Sequence, residues 1–324
     1  MIRRALVTLC ALSASSALAG QSTAPAAVAA PVPHIDGSTQ TQDVRFKNED
    51  FDRMTVPVRV SGTGPYRFLV DTGANRTAIS TELAARLKLS SGPDARVHSV
   101  AGVTTVSTAE IPGLQITQGA TRVIDAPVLA AANIGADGIL GTDSLRSERV
   151  EFNFADQTMA IVPSSRPQVH EEPGTIVVRG YRRNGRLVVT DATVDGRPLT
   201  VVIDTGSQVC IGNAALRHEL LGRSLIDAAR KVDLQSVTGE TLSGDYMFVR
   251  ELDVGGVGLK NLAIVFADAH TFRQLNLDRK PALLLGMNAM RAFKKVSIDF
   301  ANLNFRVVLP EESAISEVEE AEAD

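Results

Sequence analysis

Cysteine is almost absent from this chain: Cys10 and Cys210 are the two among 324 residues. Cys10 falls in a segment that reads as an export signal, with Arg3 and Arg4, an apolar stretch over residues 5–12, and Ala17-Leu18-Ala19 ahead of Gly20. Cleavage there leaves Cys210 alone, so an internal disulfide is excluded and stability must come from packing. Val209 and Ile211 flank Cys210, an apolar setting that marks a small core side chain rather than a nucleophile. Long apolar runs are missing too. The leader stretch is too short for a retained anchor, and no later segment is apolar enough to span a bilayer. Leu9 before Cys10 is a poor fit to the small residue of a lipoprotein signal. Nor does one sign of charge dominate: the net charge is −4, which offers nucleic acid no basic face. His34, His98, His170, His218 and His270 are scattered without metal-ligand spacing. No nucleophile elbow supports serine hydrolysis.

What the chain does have is one acidic signature written twice. Phe68-Leu69-Val70-Asp71-Thr72-Gly73-Ala74 and Val201-Val202-Ile203-Asp204-Thr205-Gly206-Ser207 each end an apolar, strand-like run in a carboxylate, a hydroxyl and a glycine. A single copy is an ordinary strand exit. Two copies, each followed at a similar distance by a second shared signature, indicate two related lobes with one acid apiece. That second signature is Gly138-Ile139-Leu140-Gly141 in the first half and Leu283-Leu284-Leu285-Gly286 in the second.

The halves correspond in order as well. Each has two strands joined by a Gly-containing turn before the acid. A short helix follows, residues 83–89 opened by Ser80 and residues 214–221 opened by Asn213, with Gly222 placed for a left-handed stop. The second signatures lead into helical segments over 142–146 and 287–293, then into alternating hairpins that end near Val162 and Leu309. The extra length of the second half lies mostly in the polar stretch 268–280, read as an inserted surface loop. Pro163-Ser164-Ser165-Arg166-Pro167 breaks both periodicities and marks the join. Just beyond it, residues 175–178 and 186–189 flank Asn184-Gly185, a favoured tight-turn pair, so the second lobe is expected to open with a hairpin. The expected layout is therefore a signal peptide at 1–19, an Ala/Pro-rich disordered tether at 20–42, lobes at 43–165 and 166–310, and a solvated acidic tail at 311–324.

An apolar strand running into Asp-Thr-Gly-(Ala/Ser), followed by apolar residues and Gly before a short helix, is the pattern of the aspartic proteases. The chain most resembles the bacterial retropepsin-like aspartyl proteases, with two copies fused in a pepsin-like bilobal arrangement. The resemblance runs from about residue 53 to 309. It implies a mainly β protein: two homologous closed, barrel-like β lobes of the acid-protease fold, with short helices and a cleft between them. It also implies catalytic carboxylates at Asp71 and Asp204 and no metal or organic cofactor. On the same resemblance, the Thr72 and Thr205 hydroxyls bond across the lobe interface. Gly73 and Gly206 allow a turn whose backbone approaches the acids, and Gly141 and Gly286 pack against the acid loops.

Elementary chemistry independently favours two acids. Hydrolysing a peptide bond without metal or nucleophile needs one group to take a proton from water and another to protonate the carbonyl oxygen. Two adjacent carboxyls cannot both ionise comfortably, so they share one proton. After the glycines the copies differ. Ser207 offers a hydroxyl that Ala74 lacks, and its donation to the nearby carboxylate would make Asp204 the more readily ionised partner, with Asp71 holding the proton. Two flap candidates, Ser99-Val100-Ala101-Gly102-Val103 and Ser236-Val237-Thr238-Gly239-Glu240, follow the acids at similar distances, and each also fits a plain hairpin turn.

The function expected is that of an exported endopeptidase, periplasmic or secreted, taking an extended peptide or protein substrate with apolar side chains in adjoining pockets. The alternative is a bilobal module that holds peptide without cutting it. Two unlike lobes on one chain favour internal pairing over association of copies, so a monomer with an intramolecular pseudo-dimer is expected.

Overall fold

The computed structural model describes residues 55–116, 121–166, 172–221 and 230–310. The expected signal peptide, tether and acidic tail, and Gly222, lie outside these residues. The first strand shows how the sequence drives the architecture. In β1 (Thr55–Val60), Val56, Val58 and Val60 alternate with Pro57 and Arg59, so all three valines turn into the core. The chain continues through β2 (Thr63–Val70), β3 (Ala78–Ser80), α1 (Thr81–Arg86), β4 (Ser91–His98), β5 (Val103–Gln115) and β6 (Thr121–Leu129). α2 (Ala131–Ile134), β7 (Gly138–Leu140) and α3 (Thr142–Leu145) complete the first lobe. Its sheet runs in the order β1-β2-β7-β3-β6-β5-β4, and β5 returns to β1 at Arg59–Gln115 and Val60–Leu114.

A second sheet is shared between the halves. The strands β8 (Glu148–Asn153), β9 (Thr158–Pro163) and β10 (Thr175–Arg179) join β21 (Lys295–Asp299) and β22 (Asn304–Val308) in the order β10-β22-β21-β8-β9. The remaining elements are β11 (Tyr181–Arg183), β12 (Arg186–Val189), β13 (Ala192–Val194), β14 (Arg197–Pro198), β15 (Thr200–Ile203), β16 (Cys210–Gly212) and α4 (Ala214–Leu221). Then come β17 (Arg230–Gln235), β18 (Thr241–Val254), β19 (Val257–Phe266), α5 (His270–Gln274), β20 (Ala282–Leu285) and α6 (Met287–Met290). They repeat the first lobe's plan. β2 lies parallel to β7 as β15 lies parallel to β20, and β3 bridges β6 and β7 as β16 bridges β19 and β20.

The protein is thus mainly β with two sheet bodies. The first body returns on itself through a short ladder between β1 and β5, and in the second β13 pairs with β18. Ser80 caps α1 by accepting the Leu83 amide at 3.1 Å, and Asn213 caps α4 by accepting the Leu216 amide at 2.8 Å.

Two sequence expectations need correction. Residues 175–178 do not pair with 186–189: β10 leaves to pair with β22 in the shared sheet, and the hairpin around Asn184-Gly185 is β11 with β12. Both turn residues have positive φ, 47° and 84°, the geometry that favours Asn-Gly. The stretch 268–280 is not a surface loop. It folds through α5, and Phe272, Leu275 and Leu277 are buried in an apolar cluster with Val188, Val202 and Leu284. Three apolar side chains spaced among polar ones are enough to anchor it.

In the shared sheet, β21 pairs antiparallel with β8, and fully buried Ile298 stands opposite fully buried Val150. Ile298→Ala should cost about 2–5 kcal/mol through lost burial and the cavity left behind. Urea denaturation of the purified chain would measure it.

Candidate active site

Both acids appear where an apolar strand runs out of core. Val70 and Ile203 are buried to the last residue of β2 and β15. The next amide still bonds to the parallel neighbour, Asp71 N–H to Leu140 O at 3.0 Å and Asp204 N–H to Leu285 O at 3.1 Å. Beyond that the chain must turn. Gly73 and Ala74 donate to Asp71 Oδ1 at 2.8 and 3.0 Å, and Gly206 donates to Asp204 Oδ1 at 3.1 Å.

The two loops meet crosswise. A Cβ built on Gly206 would stand 2.3 Å from Asp71 Cγ, and one on Gly73 would stand 2.4 Å from Asp204 Oδ1. Each carboxyl therefore lies on the bare backbone of the opposite loop, where any side chain would displace it. The threonines between acid and glycine exchange bonds across the same junction. Thr72 Oγ1 donates to Ile203 O at 2.7 Å and accepts from Thr205 N at 3.0 Å. Thr205 Oγ1 donates to Val70 O at 2.7 Å and accepts from Thr72 N at 3.1 Å. Gly141 and Gly286 lie against the backbone just past each acid loop, where a Cβ would meet Arg76 at 2.5 Å and Val209 at 2.6 Å.

Beneath this symmetry the supports differ. Gly141 N–H donates to Thr77 Oγ1 at 3.1 Å, whereas Gly286 N–H donates to Cys210 Sγ at 3.3 Å. Asp143 accepts the Thr77 amide at 2.9 Å, and Asn288 accepts the Cys210 amide at 2.9 Å. Cys210 is buried and free, and burial pushes its thiol up to about 12, which makes it an inert packing group.

The hydrogen bonding removes the basis of one expectation. Ser207 Oγ donates to Val209 O at 2.7 Å, so its proton does not serve Asp204. Burial, and then the charge of Asp71, push Asp204 up to about 7, against the opposing pull of Arg186 and the amides of Gly206 and Ser207. Asp204 is 6% exposed, and its burial favours the neutral form. Asp71 is half-buried.

The flap candidates are hairpin tips, between β4 and β5 and between β17 and β18. Ala101 and Gly102 donate to Ser99 Oγ at 3.2 Å, and Gly239 N–H donates to Ser236 O at 3.0 Å. The tips cross over. Val100 packs against the second lobe's apolar cluster, and Val237 against Leu69, Ile139 and their neighbours in the first. Thr104 Oγ1 links the flaps by donating to Glu240, whose carboxylate is held down at about 2 by bonds from Thr104, Thr238 and Ser236. A cleft bordered by Leu69, Asp71, Ile139, Gly206, Val237 and Met287 lies at this junction.

Sequence reasoning missed two features here. His98 and His270, far apart in the chain, meet with Nδ1 and Nε2 2.9 Å apart, joining the first flap to α5. Arg186, buried at the head of β12, donates through Nε to Gly73 O at 2.6 Å. The signal for Arg186 was a charge directly after the Asn184-Gly185 turn, opening a fully apolar strand. Among the described residues no group of three or more His, Cys, Asp or Glu is placed to hold a metal ion.

Two pseudo-symmetric β lobes with a matched acid loop from each define a duplicated protein of the acid-protease class. Residues 56–147 match the family model described as gag-polyprotein putative aspartyl protease, and residues 190–289 match the one described as aspartyl protease. Both matches are to aspartyl protease families, one in each half, so the chain carries two such domains in tandem. A solved structure of a retropepsin-like aspartic protease from Rickettsia conorii is similar at 16% identity, over 41% of this chain and 88% of its own, with a TM-score of 0.27. No curated protein matches the chain.

Because the fold raises the Asp204 pKa above its unfolded value of about 3.9, the folded state binds the extra proton between about pH 4 and 7. The contribution of Asp204 to stability is fully present below that window and is lost as pH rises through it. Denaturation at several pH values should show a decline of roughly 2–4 kcal/mol across the window that Asp204→Asn removes.

Proposed function

We propose that the chain is an aspartic endopeptidase in which Asp71 and Asp204 share one proton and activate a water molecule between them. The observation that carries this reading is the crosswise seating of each carboxyl on the other loop's glycine. Asp204, high in pKa, holds the proton and gives it to the substrate carbonyl oxygen. Asp71, accepting two amide N–H bonds that favour its charged form, takes a proton from water. The water oxygen bonds to the carbonyl carbon and forms a neutral tetrahedral diol. Asp71 then passes its proton to the amide nitrogen, the C–N bond breaks, and Asp204 recovers a proton from the diol.

Leu69, Ile139, Val237 and Met287 line a small pocket beside Asp71, and its apolar walls support a preference for apolar side chains in the substrate. Since both acids come from one chain, a single copy completes the site. The export signature read in residues 3–20 supports a periplasmic or secreted site for this work.

Purified mature chain should digest an unfolded protein, with activity falling as pH rises through about 7 and the Asp204 proton is lost. Asp71→Asn or Asp204→Asn should lower the rate by about 10²–10⁴-fold. Cleavage that survives Asp71→Asn would defeat the scheme, and tight peptide binding by a wild-type chain that does not cut would select the silent binding module.

A further inference from the structure

Arg186 is a cation in a place that makes cations costly. It is 3% exposed, and its hydrogen bonds go to neutral acceptors, Gly73 O at 2.6 Å through Nε and Gln274 Oε1 at 3.2 Å through Nη2. Nη1 is buried without a hydrogen-bond partner among the described residues. The β11–β12 turn delivers it across the lobe boundary: a Cβ on Gly185 would stand 2.9 Å from Thr142 Oγ1 and 3.2 Å from Asn75 Oδ1 of the first lobe. Asn184 Nδ2 fixes the turn to Gln274 O at 3.1 Å, at the end of α5.

A tether between lobes does not need a charge. A neutral amide could meet Gly73 O without the penalty, several kcal/mol, of removing an ion from water. Burying a guanidinium is repaid only by negative charge nearby, and the charges that act on Arg186 are those of Asp204 and Asp71. When the acids hold one proton between them, their single negative charge balances the arginine. With two protons the arginine is buried unbalanced.

We infer that Arg186 is a positioning residue of the acid pair: its buried positive charge, held on the back of the Asp71 loop through Gly73, sets how readily the two carboxyls release the protons they share. This rests on reading Asp71 and Asp204 as one coupled pair. The charges facing Asp204 are those of Asp71, from the first lobe's loop, and Arg186, from β12. Cys210, on β16, remains a neutral thiol through the physiological range. The cation opposes the raising of Asp204, so its removal should move both proton-release steps upward.

The test is a carboxyl titration by NMR of chain labelled with ¹³C at aspartate, assigned with Asp71→Asn and Asp204→Asn, beside peptide hydrolysis against pH. Arg186→Gln should raise both steps, and both limbs of the activity profile, by about one pH unit. Arg186→Lys, which keeps the charge and loses the planar fork, should titrate close to wild type. If Arg186→Gln does not fold, Arg186→Met removes the charge with an apolar chain of similar length and carries the same comparison. Unmoved steps in a folded neutral variant, or an equal shift in Arg186→Lys, would overturn the inference, since hydrogen bonding alone would then account for the residue. Because the titration needs no turnover, a chain that shifts as expected yet never cleaves peptide counts against the peptidase reading alone.

Discussion

The exchange of hydroxyl and amide bonds between Thr72 and Thr205 is the constraint on which the site depends. At the ends of β2 and β15 the sheet ladders stop while the chain is still buried, and the carbonyls of Val70 and Ile203 and the amides of the two threonines need partners. Each group left unsatisfied would cost about 1–3 kcal/mol. The partners are the matching groups of the other lobe. The acids alone do not fix the two loops in place. They are brought face to face because the backbone beside them can be satisfied in no cheaper way, and the missing β-carbons of Gly73 and Gly206 let the approach finish.

This arrangement makes the interior polar at its centre. Burial raises the pKa of Asp204, while Asp71 remains half-open and accepts two amide N–H bonds. The two hairpin tips reach across from opposite sides, each packing an apolar residue, Val100 or Val237, against the far lobe. The shared sheet of β8 and β21 ties the lobes together on another side.

Much of this was legible in the sequence because its causes are local. An apolar strand that ends in Asp-Thr-Gly announces both the buried ladder and the place where it stops, and two copies announce two lobes. The helix caps Ser80 and Asn213 could be read for the same reason. What escaped reading depends on contacts between distant parts of the chain. Residues 268–280 look polar until Phe272, Leu275 and Leu277 are seen to share one buried cluster. β10 carries the strand pattern of a hairpin partner, but alternation does not say which neighbour a strand will choose. Ser207 stands beside Asp204 in sequence, yet its hydroxyl turns to Val209 O. Arg186 gains its meaning only from Gly73, in the other half of the chain.

The replacement of Thr77 by Cys210, and of Asp143 by Asn288, beneath otherwise equivalent glycines has a consequence for how such a protein changes over time. In an assembly of two identical subunits every substitution appears twice, once on each side of the axis, and must be tolerated in both places. Fusion lifts that restriction. One half can trade a hydroxyl for a thiol, or a carboxylate for an amide, while its twin keeps the original chemistry, so the left and right walls of the groove are free to acquire separate tastes.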